Sequence, residues 1–295
     1  MSRIKKAIIP IAGLGTRFLP LSKVLPKELW PLVDKPVIQY IVEEARISGI
    51  KEIIFVIRPD KKETRDYFKK YLKKIPELEE LLKTRKKNHL LRELKNLEKI
   101  TKNISFSYVS QKAPLGDGHA LLQTKNLIGN NPCAVLWADD VVEAKVPCLL
   151  QLIKVFEKYK KPVIAAYRIP KENFPFYGMI GGEKIADRIY RIKKIVEKPP
   201  TIRESPSNLA IVGKFVFTPE VFQWLQRASL NKNRELITSE VLAKMVEGNQ
   251  EVYGYEFEGK WLECGNKLAY LKSNIYLSLK HPQFGPKIKR FISKI

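Results

Sequence analysis

The chain has 295 residues, 44% hydrophobic and 29% charged, enough to bury the core of one large α/β domain or two small ones. Its net charge of +23 exceeds what binding one nucleotide requires, yet it contains no helix-turn-helix, zinc-finger or aromatic-basic pattern, so we expect no nucleic-acid partner. No apolar run reaches the roughly 20 residues of a membrane span, and its three cysteines form no C-x-x-C pair; we expect a cytoplasmic protein without a membrane partner.

A loop with two glycines follows the first apolar segment. Residues 7–11 predict a buried strand, and Gly13 and Gly15 allow the backbone to turn so that its N–H groups face an anion. Arg17 and Lys27 add positive charge nearby. The ending G-K-[ST] of a P-loop is missing, as is the third glycine of a dinucleotide-binding motif. The pattern indicates a phosphate-binding loop, with an ordinary strand-to-loop turn as the alternative.

Apolar runs and helical stretches alternate along the rest of the chain. Helical spacing predicts a helix over residues 37–48, which Pro36 can begin and Gly49 can end. Because this helix connects the first two strands, we expect those strands to be parallel. The alternation predicts an α/β sheet, with further strands at residues 52–57, 104–109, 133–137, 163–167, 190–196 and 211–217.

Two segments carry much of the positive charge. Residues 60–103 hold 15 basic and 8 acidic side chains, and residues 266–295 hold 7 basic and none acidic. Leucine spacing in the first segment predicts a helical insertion over residues 61–103. Its charge is typical of a solvated helix surface, and association with an anionic surface is the alternative.

Acidic residues follow the strand predicted at 133–137. Because Asp139 and Asp140 lie at a strand's carboxyl end, where α/β sheets bind ligands, their carboxylates suit Mg²⁺. A helix N-cap or a loop ion pair is the alternative. Further on, Glu197 can accept hydrogen bonds from sugar hydroxyls and Lys198 can meet a phosphate; a surface ion pair is the alternative there.

Several sequence blocks spread over nearly the whole chain match one known family in the same order. They are residues 12–17, 26–28, 31–40, 116–120, 138–140, 177–178, 196–199, 207–213 and 264–267. These blocks resemble the sugar-1-phosphate nucleotidyltransferases, and most closely the bacterial UTP:glucose-1-phosphate uridylyltransferases. The leucine-rich insertion is similar to that of the uridylyltransferases, whereas the thymidylyltransferases lack one of this length.

The resemblance implies a Rossmann-like, three-layer fold with a mixed, mainly parallel sheet, in one domain spanning 1–295 with C-terminal helices over 265–295. It implies Mg²⁺-dependent, in-line formation of UDP-glucose and pyrophosphate from UTP and glucose 1-phosphate, by a homo-oligomer. It places the catalytic charges at Arg17, Lys27 and Lys198, and the metal ligands at Asp139 and Glu263. It places nucleotide-binding residues at Ala12, Gly13, Gly15, Thr16, Glu28, Gln111 and Gly116, and sugar-phosphate-binding residues at Gly178, Glu197, Lys198 and Ile211.

Four positions depart from the family pattern. Glu263 stands where the family has Asp, Asp117 lies between two glycines where the family has an apolar or small residue, and Ile237 and Glu240 replace Gln and Asp. Two alternatives therefore stay open. One is a nucleotidyltransferase for another nucleotide and sugar phosphate; the other is a catalytically weak paralogue that binds nucleotide sugars or nucleic acid.

Overall fold

The computed structural model describes residues 4–71, 75–100, 102–229 and 234–295. Its strands are β1 (Lys6–Pro10), β2 (Pro31–Leu32), β3 (Lys35–Pro36), β4 (Glu52–Ile57), β5 (Ser105–Ser110), β6 (Cys133–Leu136), β7 (Asp140–Glu143), β8 (Val163–Arg168), β9 (Met179–Ala186), β10 (Ile189–Val196), β11 (Leu209–Phe217), β12 (Tyr253–Glu256) and β13 (Lys260–Glu263). Its α-helices are α1 (Val37–Ile47), α2 (Glu63–Asp66), α3 (Pro76–Thr84), α4 (Asn88–Ile100), α5 (Asp117–Leu122), α6 (Lys125–Ile128), α7 (Cys148–Tyr159), α8 (Pro219–Ala228), α9 (Thr238–Glu247), α10 (Lys267–Lys280) and α11 (Gly285–Ile292).

Within these described residues, nine strands form the central sheet, in the order β5-β4-β1-β6-β11-β8-β12-β10-β9. The pairs β5–β4, β4–β1, β1–β6 and β8–β12 are parallel. Strands β11 and β10 are each antiparallel to the strands beside them, so the other seven strands point in one direction. The predicted parallel pairing of β1 with β4 is confirmed, and so is the mixed, mainly parallel α/β fold.

Helices cover both faces of this sheet because its strands are buried on both sides. Along β1, Ile9 belongs to a core cluster with Ile41 of α1 and Leu152 of α7. The next residue back, Ile8, points the other way, into a cluster with Phe222 of α8 and Leu242 of α9. The sheet therefore forms the middle of three layers, and the loops at its strand ends remain available for a site.

Several short strands were not predicted. Strand β7 begins at Asp140, and in the described part of the chain it pairs with β13 alone, in a two-stranded ribbon; β12 was not predicted either, nor was the longer, eight-residue β9. Four-residue strands such as β7, β12 and β13 carry too little alternation to show in the sequence. Within the expected insertion, α3 and α4 are helical, while residues 72–74 and 101 lie outside the described residues.

Among the helices described here, none is both long and apolar enough to cross a membrane.

Candidate active site

The loop after β1 uses its two glycines differently. Gly15 has a φ of +70°, a left-handed conformation that favours glycine, and a Cβ there would lie 3.2 Å from Ser22 Cβ. Gly13 lies outside the left-handed region, and a Cβ there would meet nothing within 4 Å. The turn therefore depends on Gly15, and Gly13 leaves open space beside the backbone.

A lysine from the chain after β4 holds this loop in place. Lys61 Nζ donates to the carbonyl oxygens of Ile11, at 3.1 Å, and Gly13, at 3.0 Å. Its ammonium also lies 3.5 Å from Glu28 Oε1, which accepts a hydrogen bond from Thr64 Oγ1 at 3.2 Å. Glu28 is only 2% exposed, so its buried carboxylate supports the loop by holding the Lys61 ammonium in place.

A second ion pair beside the loop joins Lys27 to Asp139. Lys27 lies in the 3₁₀ helix Lys27–Leu29, and its Nζ donates to Asp139 Oδ2 at the end of the chain segment leaving β6. Burial alone would raise the pKa of the Asp139 carboxyl, but the Lys27 ammonium holds that pKa below its usual range. Burial alone would lower the pKa of Lys27, yet Asp139 raises it. Both groups are therefore ionised at neutral pH.

The β7–β13 ribbon brings a second carboxylate to Asp139. In its register Asp140 is opposite Glu263, and a Cβ on Gly265 would lie 3.2 Å from Asp139 Oδ2 and 3.3 Å from Glu263 Oε1. Two acidic side chains thus face one space. Tyr177 donates its hydroxyl hydrogen to Glu263 Oε2, which fixes one end of that carboxylate.

Asp140 is occupied differently from its neighbour. Its Oδ1 accepts from Trp261 Nε1 at 2.7 Å, and its Oδ2 accepts from the backbone N–H of Gly213 at 2.9 Å. Burial, followed by the charge of Asp139, raises the pKa of Asp140 to about 7. Since both oxygens are hydrogen-bonded, Asp140 ties β7 to β13 and β11.

Gln111 and the turn before α5 line the same space as the loop after β1. Gln111 is 6% exposed, and its Nε2 donates to the Gly116 carbonyl at 3.0 Å and contacts His119 Nδ1 at 3.0 Å. Asp117 Oδ1 accepts from the backbone N–H of Thr238 at 3.1 Å, at the start of α9. The departure at Asp117 therefore joins two loops, and burial raises the pKa of its carboxyl.

The side chains that follow β10 border the space beside Glu263. Glu197 Oε2 accepts from Ser239 Oγ at 2.6 Å, and Lys198 Nζ lies 3.3 Å from Glu197 Oε1. A Cβ on Gly178 would lie 2.9 Å from Glu197 Oε2 and 3.1 Å from Ile211 Cδ1. The absence of a side chain at Gly178 therefore leaves room between Glu197 and Ile211.

Two adjoining cavities result. The loop cavity, of about 320 Å³, and the carboxylate cavity, of about 370 Å³, meet at Asp117, Trp137, Asp139 and Glu235. The loop cavity is lined by the predicted residues Ala12, Gly13, Thr16, Lys27, Glu28, Gln111 and Gly116. The carboxylate cavity is lined by the predicted residues Arg17, Asp139, Gly178, Glu197, Lys198, Ile211 and Glu263. Gly15 lines neither cavity.

The family model described as nucleotidyl transferase matches residues 6–278 of the chain. The chain belongs to the nucleotidyl transferase family. Among curated relatives, the UTP--glucose-1-phosphate uridylyltransferase of Bacillus subtilis (strain 168) is 39% identical over 99% of this chain and 97% of its own length. That of Staphylococcus epidermidis (strain ATCC 35984) is 40% identical over 100% of this chain and 99% of its own.

Solved structures agree with this family assignment. A UDP-glucose pyrophosphorylase complexed with UDP-glucose superimposes with a TM-score of 0.82 at 35% identity, covering 94% of this chain and 100% of that one. A UTP-bound UGPase from Acinetobacter baumannii gives a TM-score of 0.86 at 34% identity, covering 99% of both chains. The resemblance to bacterial uridylyltransferases found in the sequence is confirmed.

This nucleotidyl transferase also contains a buried ion pair that the sequence reasoning missed. Lys214 is fully buried on β11, and its Nζ lies 2.7 Å from Glu44 Oε2 on α1. Glu44 Oε1 accepts from the backbone N–H of Leu149 at 2.9 Å. The neighbour of Lys214 is Gly213, which binds Asp140, so the pair supports the strand behind the carboxylates. A lysine inside an apolar strand was the available signal.

The remaining departures of this nucleotidyl transferase lie around α9. Ile237 lines the carboxylate cavity beside Thr238 and Ser239. Glu240 forms an ion pair with Arg234, at 2.6 Å. Ser239, which the sequence reasoning also missed, supplies the polar contact to Glu197.

Proposed function

We propose that the chain transfers a uridylyl group from UTP to glucose 1-phosphate, releasing UDP-glucose and pyrophosphate. A phosphate oxygen of the sugar phosphate attacks the α-phosphorus of UTP in line, a new P–O bond forms, and the bond to the leaving pyrophosphate breaks. The observation that carries this proposal is the meeting of the two cavities at Asp139. A nucleotide in the loop cavity and a sugar phosphate in the carboxylate cavity would bring their phosphates together there.

Recognition of the base falls to Gln111. Because the Gly116 carbonyl can only accept a hydrogen bond, it directs the Gln111 amide nitrogen toward itself. Gln111 Oε1 accepts no hydrogen bond from the described residues, and it is available to the N3–H of uracil. Cytosine presents an acceptor at N3, so the same oxygen would repel it. The arrangement supports UTP over CTP.

The cations of the site divide between the two substrates. Lys27 lines the loop cavity and donates to Asp139, where the two cavities meet, so it can neutralise the α-phosphate on which negative charge accumulates. Arg17 and Lys198 line the carboxylate cavity and can hold the attacking phosphate. Catalysis then comes from placing two anions in line and offsetting their repulsion.

The hexose is proposed to lie against Gly178. Glu197 can accept hydrogen bonds from sugar hydroxyls because Ser239 fixes one of its oxygens. Ile211 donates its backbone N–H to the Gly178 carbonyl at 2.7 Å, which holds this part of the chain in place.

Mg²⁺ is the metal that fits this donor set. Proteins bind Mg²⁺ through one or two carboxylates together with substrate phosphates, and Asp139 with Glu263 offers such a pair. Across the described ranges, this site included, no group of three or more His, Cys, Asp or Glu is placed to hold a metal, so substrate phosphates would have to complete the coordination. When bound, the metal would offset phosphate charge, and the residues that would hold it are Asp139 and Glu263.

We also propose that the protein is a cytoplasmic homo-oligomer. Its three cysteines, Cys133, Cys148 and Cys264, are buried and free, as is usual in a reducing compartment. On α10 the apolar side chains of Leu271 and Ile275 are 55% and 53% exposed, which a second copy of the chain could cover.

Pyrophosphate release tests the reaction. The purified protein is assayed with Mg²⁺ and glucose 1-phosphate, using UTP, dTTP or CTP, and then with UTP and galactose 1-phosphate. We expect rapid release with UTP and glucose 1-phosphate and the slowest release with CTP. Binding of UTP without release from any pair would contradict the proposal.

A further inference from the structure

A large groove lies beside the carboxylate cavity. Its volume is about 920 Å³, and it runs between the 3₁₀ segment Lys171–Phe176, β13 and α10. The groove opens directly onto the proposed sugar-phosphate site, because both spaces are lined by Arg17, Phe176, Tyr177, Lys198, Trp261 and Glu263. We call it the basic groove.

The lining of the basic groove is strongly positive. It contains four cations and one carboxylate, Glu263. Two of the cations, Arg17 and Lys198, also line the carboxylate cavity, whereas Lys260 and Lys272 belong to the groove alone. The groove therefore extends the positive charge of the site outward.

The outer two cations have nothing nearby to neutralise them. Both are exposed, and in the described part of the chain the ammonium groups of Lys260 and Lys272 form no ion pair or hydrogen bond. The carboxylate opposite Lys260 in the ribbon is Glu143, and it already accepts from Lys280 Nζ and Tyr276 Oη, each at 2.8 Å.

The inner carboxylate is engaged as well. Glu263 Oε2 accepts from the Tyr177 hydroxyl, and its Oε1 accepts from Asn266 Nδ2 at 3.1 Å. The four cations still outnumber this one carboxylate, and a cleft lined mainly by one sign of charge concentrates the opposite charge within it.

We propose that the basic groove is the route by which the phosphorylated sugar reaches the active site, with Lys260 and Lys272 attracting its phosphate. Arg17 and Lys198 then receive the phosphate at the carboxylate cavity. This inference rests on the proposed function. Because the groove is much larger than the carboxylate cavity, it guides the sugar phosphate without holding it tightly. Removing its charge therefore slows capture and leaves the chemical step unchanged.

The test compares two double variants that remove the same charge. Lys260→Gln/Lys272→Gln removes the outer cations of the groove. Lys154→Gln/Lys158→Gln removes two exposed lysines of α7 that line none of these cavities. Initial rates are measured at saturating UTP with glucose 1-phosphate varied, at ionic strengths of about 10 mM and about 150 mM, where the Debye length is about 30 Å and about 8 Å.

For the groove variant we expect kcat/KM for glucose 1-phosphate to fall about three- to ten-fold at low ionic strength and less than about two-fold at high ionic strength. Its kcat stays at the wild-type value, and the α7 variant matches the wild type throughout. If the groove variant matches the α7 variant at both ionic strengths, or if its loss lies in kcat, the proposal is wrong.

Failure of the proposed function would be seen separately. If the wild type releases no pyrophosphate, calorimetric titration of glucose 1-phosphate into the three proteins at about 10 mM ionic strength replaces the rate assay. Weaker binding by the groove variant alone supports the route, and equal binding by all three proteins overturns it.

Discussion

Replacing Gly116 by Ala should damage both the fold and UTP binding. Gly116 has a φ of +96° and a ψ of 170°, a conformation almost restricted to glycine that costs another residue about 1–3 kcal/mol. The new Cβ would lie 2.4 Å from Leu236 O and 2.8 Å from Leu236 N. These are backbone atoms, so no side-chain rotation can relieve the contact.

The backbone of Leu236 cannot move without losing hydrogen bonds. Its oxygen accepts from Gly118 N and its nitrogen donates to Leu115 O, both at 2.8 Å. Losing these two bonds costs about 1 kcal/mol each. With the conformational strain, Gly116→Ala should lower the free energy of unfolding by about 3–5 kcal/mol. At about 2 °C per kcal/mol for a chain of this size, Tm falls by about 6–10 °C.

Binding of UTP should weaken along with stability. The Gly116 carbonyl fixes the orientation of the Gln111 amide. If that orientation is lost, the hydrogen bond to uracil weakens, and KM for UTP should rise about ten-fold. Thermal unfolding followed by circular dichroism, together with initial rates below Tm, measures both effects.

Gly49→Ala is the matched control. Gly49 has a φ of +92°, but a Cβ there would meet nothing within 4 Å, so this variant carries the strain of about 1–2 kcal/mol without the contact. Its KM for UTP should be unchanged. If Gly116→Ala is no less stable than Gly49→Ala and binds UTP equally well, the assigned role of the Leu236 contact is wrong.

Three further results are expected. Lys27→Met should lower kcat about 10²–10³-fold, because it removes a charge facing the reacting phosphate; full turnover in this variant would refute the assignment. Ser239→Ala should raise KM for glucose 1-phosphate about ten-fold and leave KM for UTP unchanged, since Ser239 orients Glu197, and equal changes in both constants would contradict this. Chelation by EDTA should abolish pyrophosphate release reversibly while Tm stays constant, because Lys27 already neutralises Asp139; a large fall in Tm would show a structural metal.

Local patterns in the sequence identify most of the layers. The predicted helix at 37–48 is α1, Val37–Ile47, since its apolar spacing, Pro36 and Gly49 all agree on one element. The strand predicted at 52–57 is β4, Glu52–Ile57, because its residues are buried on both faces and form an unbroken apolar run. The signals for these two elements come from residues close together in the sequence, so they can be read without the structure.

Contacts between distant segments are not displayed in this way. Lys61 supports the loop after β1 from a position nearly fifty residues later, and nothing in its surroundings separates it from the other lysines of a strongly basic chain. The ribbon of β7 and β13 is similar. Each strand is only four residues long, and it forms by pairing with a strand more than a hundred residues away along the chain. The site depends on that ribbon to bring Glu263 to Asp139.

The resemblance predicts Asp at position 263, and the Glu found there shows why such departures cannot be judged one residue at a time. An extra methylene moves the carboxylate and adds a rotatable bond. The position of a metal ligand should then be less well defined, although Mg²⁺ requires precise geometry. In the structure the Tyr177 hydroxyl and Asn266 Nδ2 bind the two oxygens of that carboxylate. Tyr177 lies 86 residues away along the chain, and its contact restricts the added freedom. A Glu263→Asp variant would withdraw the carboxylate from Tyr177. The shorter side chain that the resemblance predicts should therefore bind a metal ion more weakly than Glu263 does.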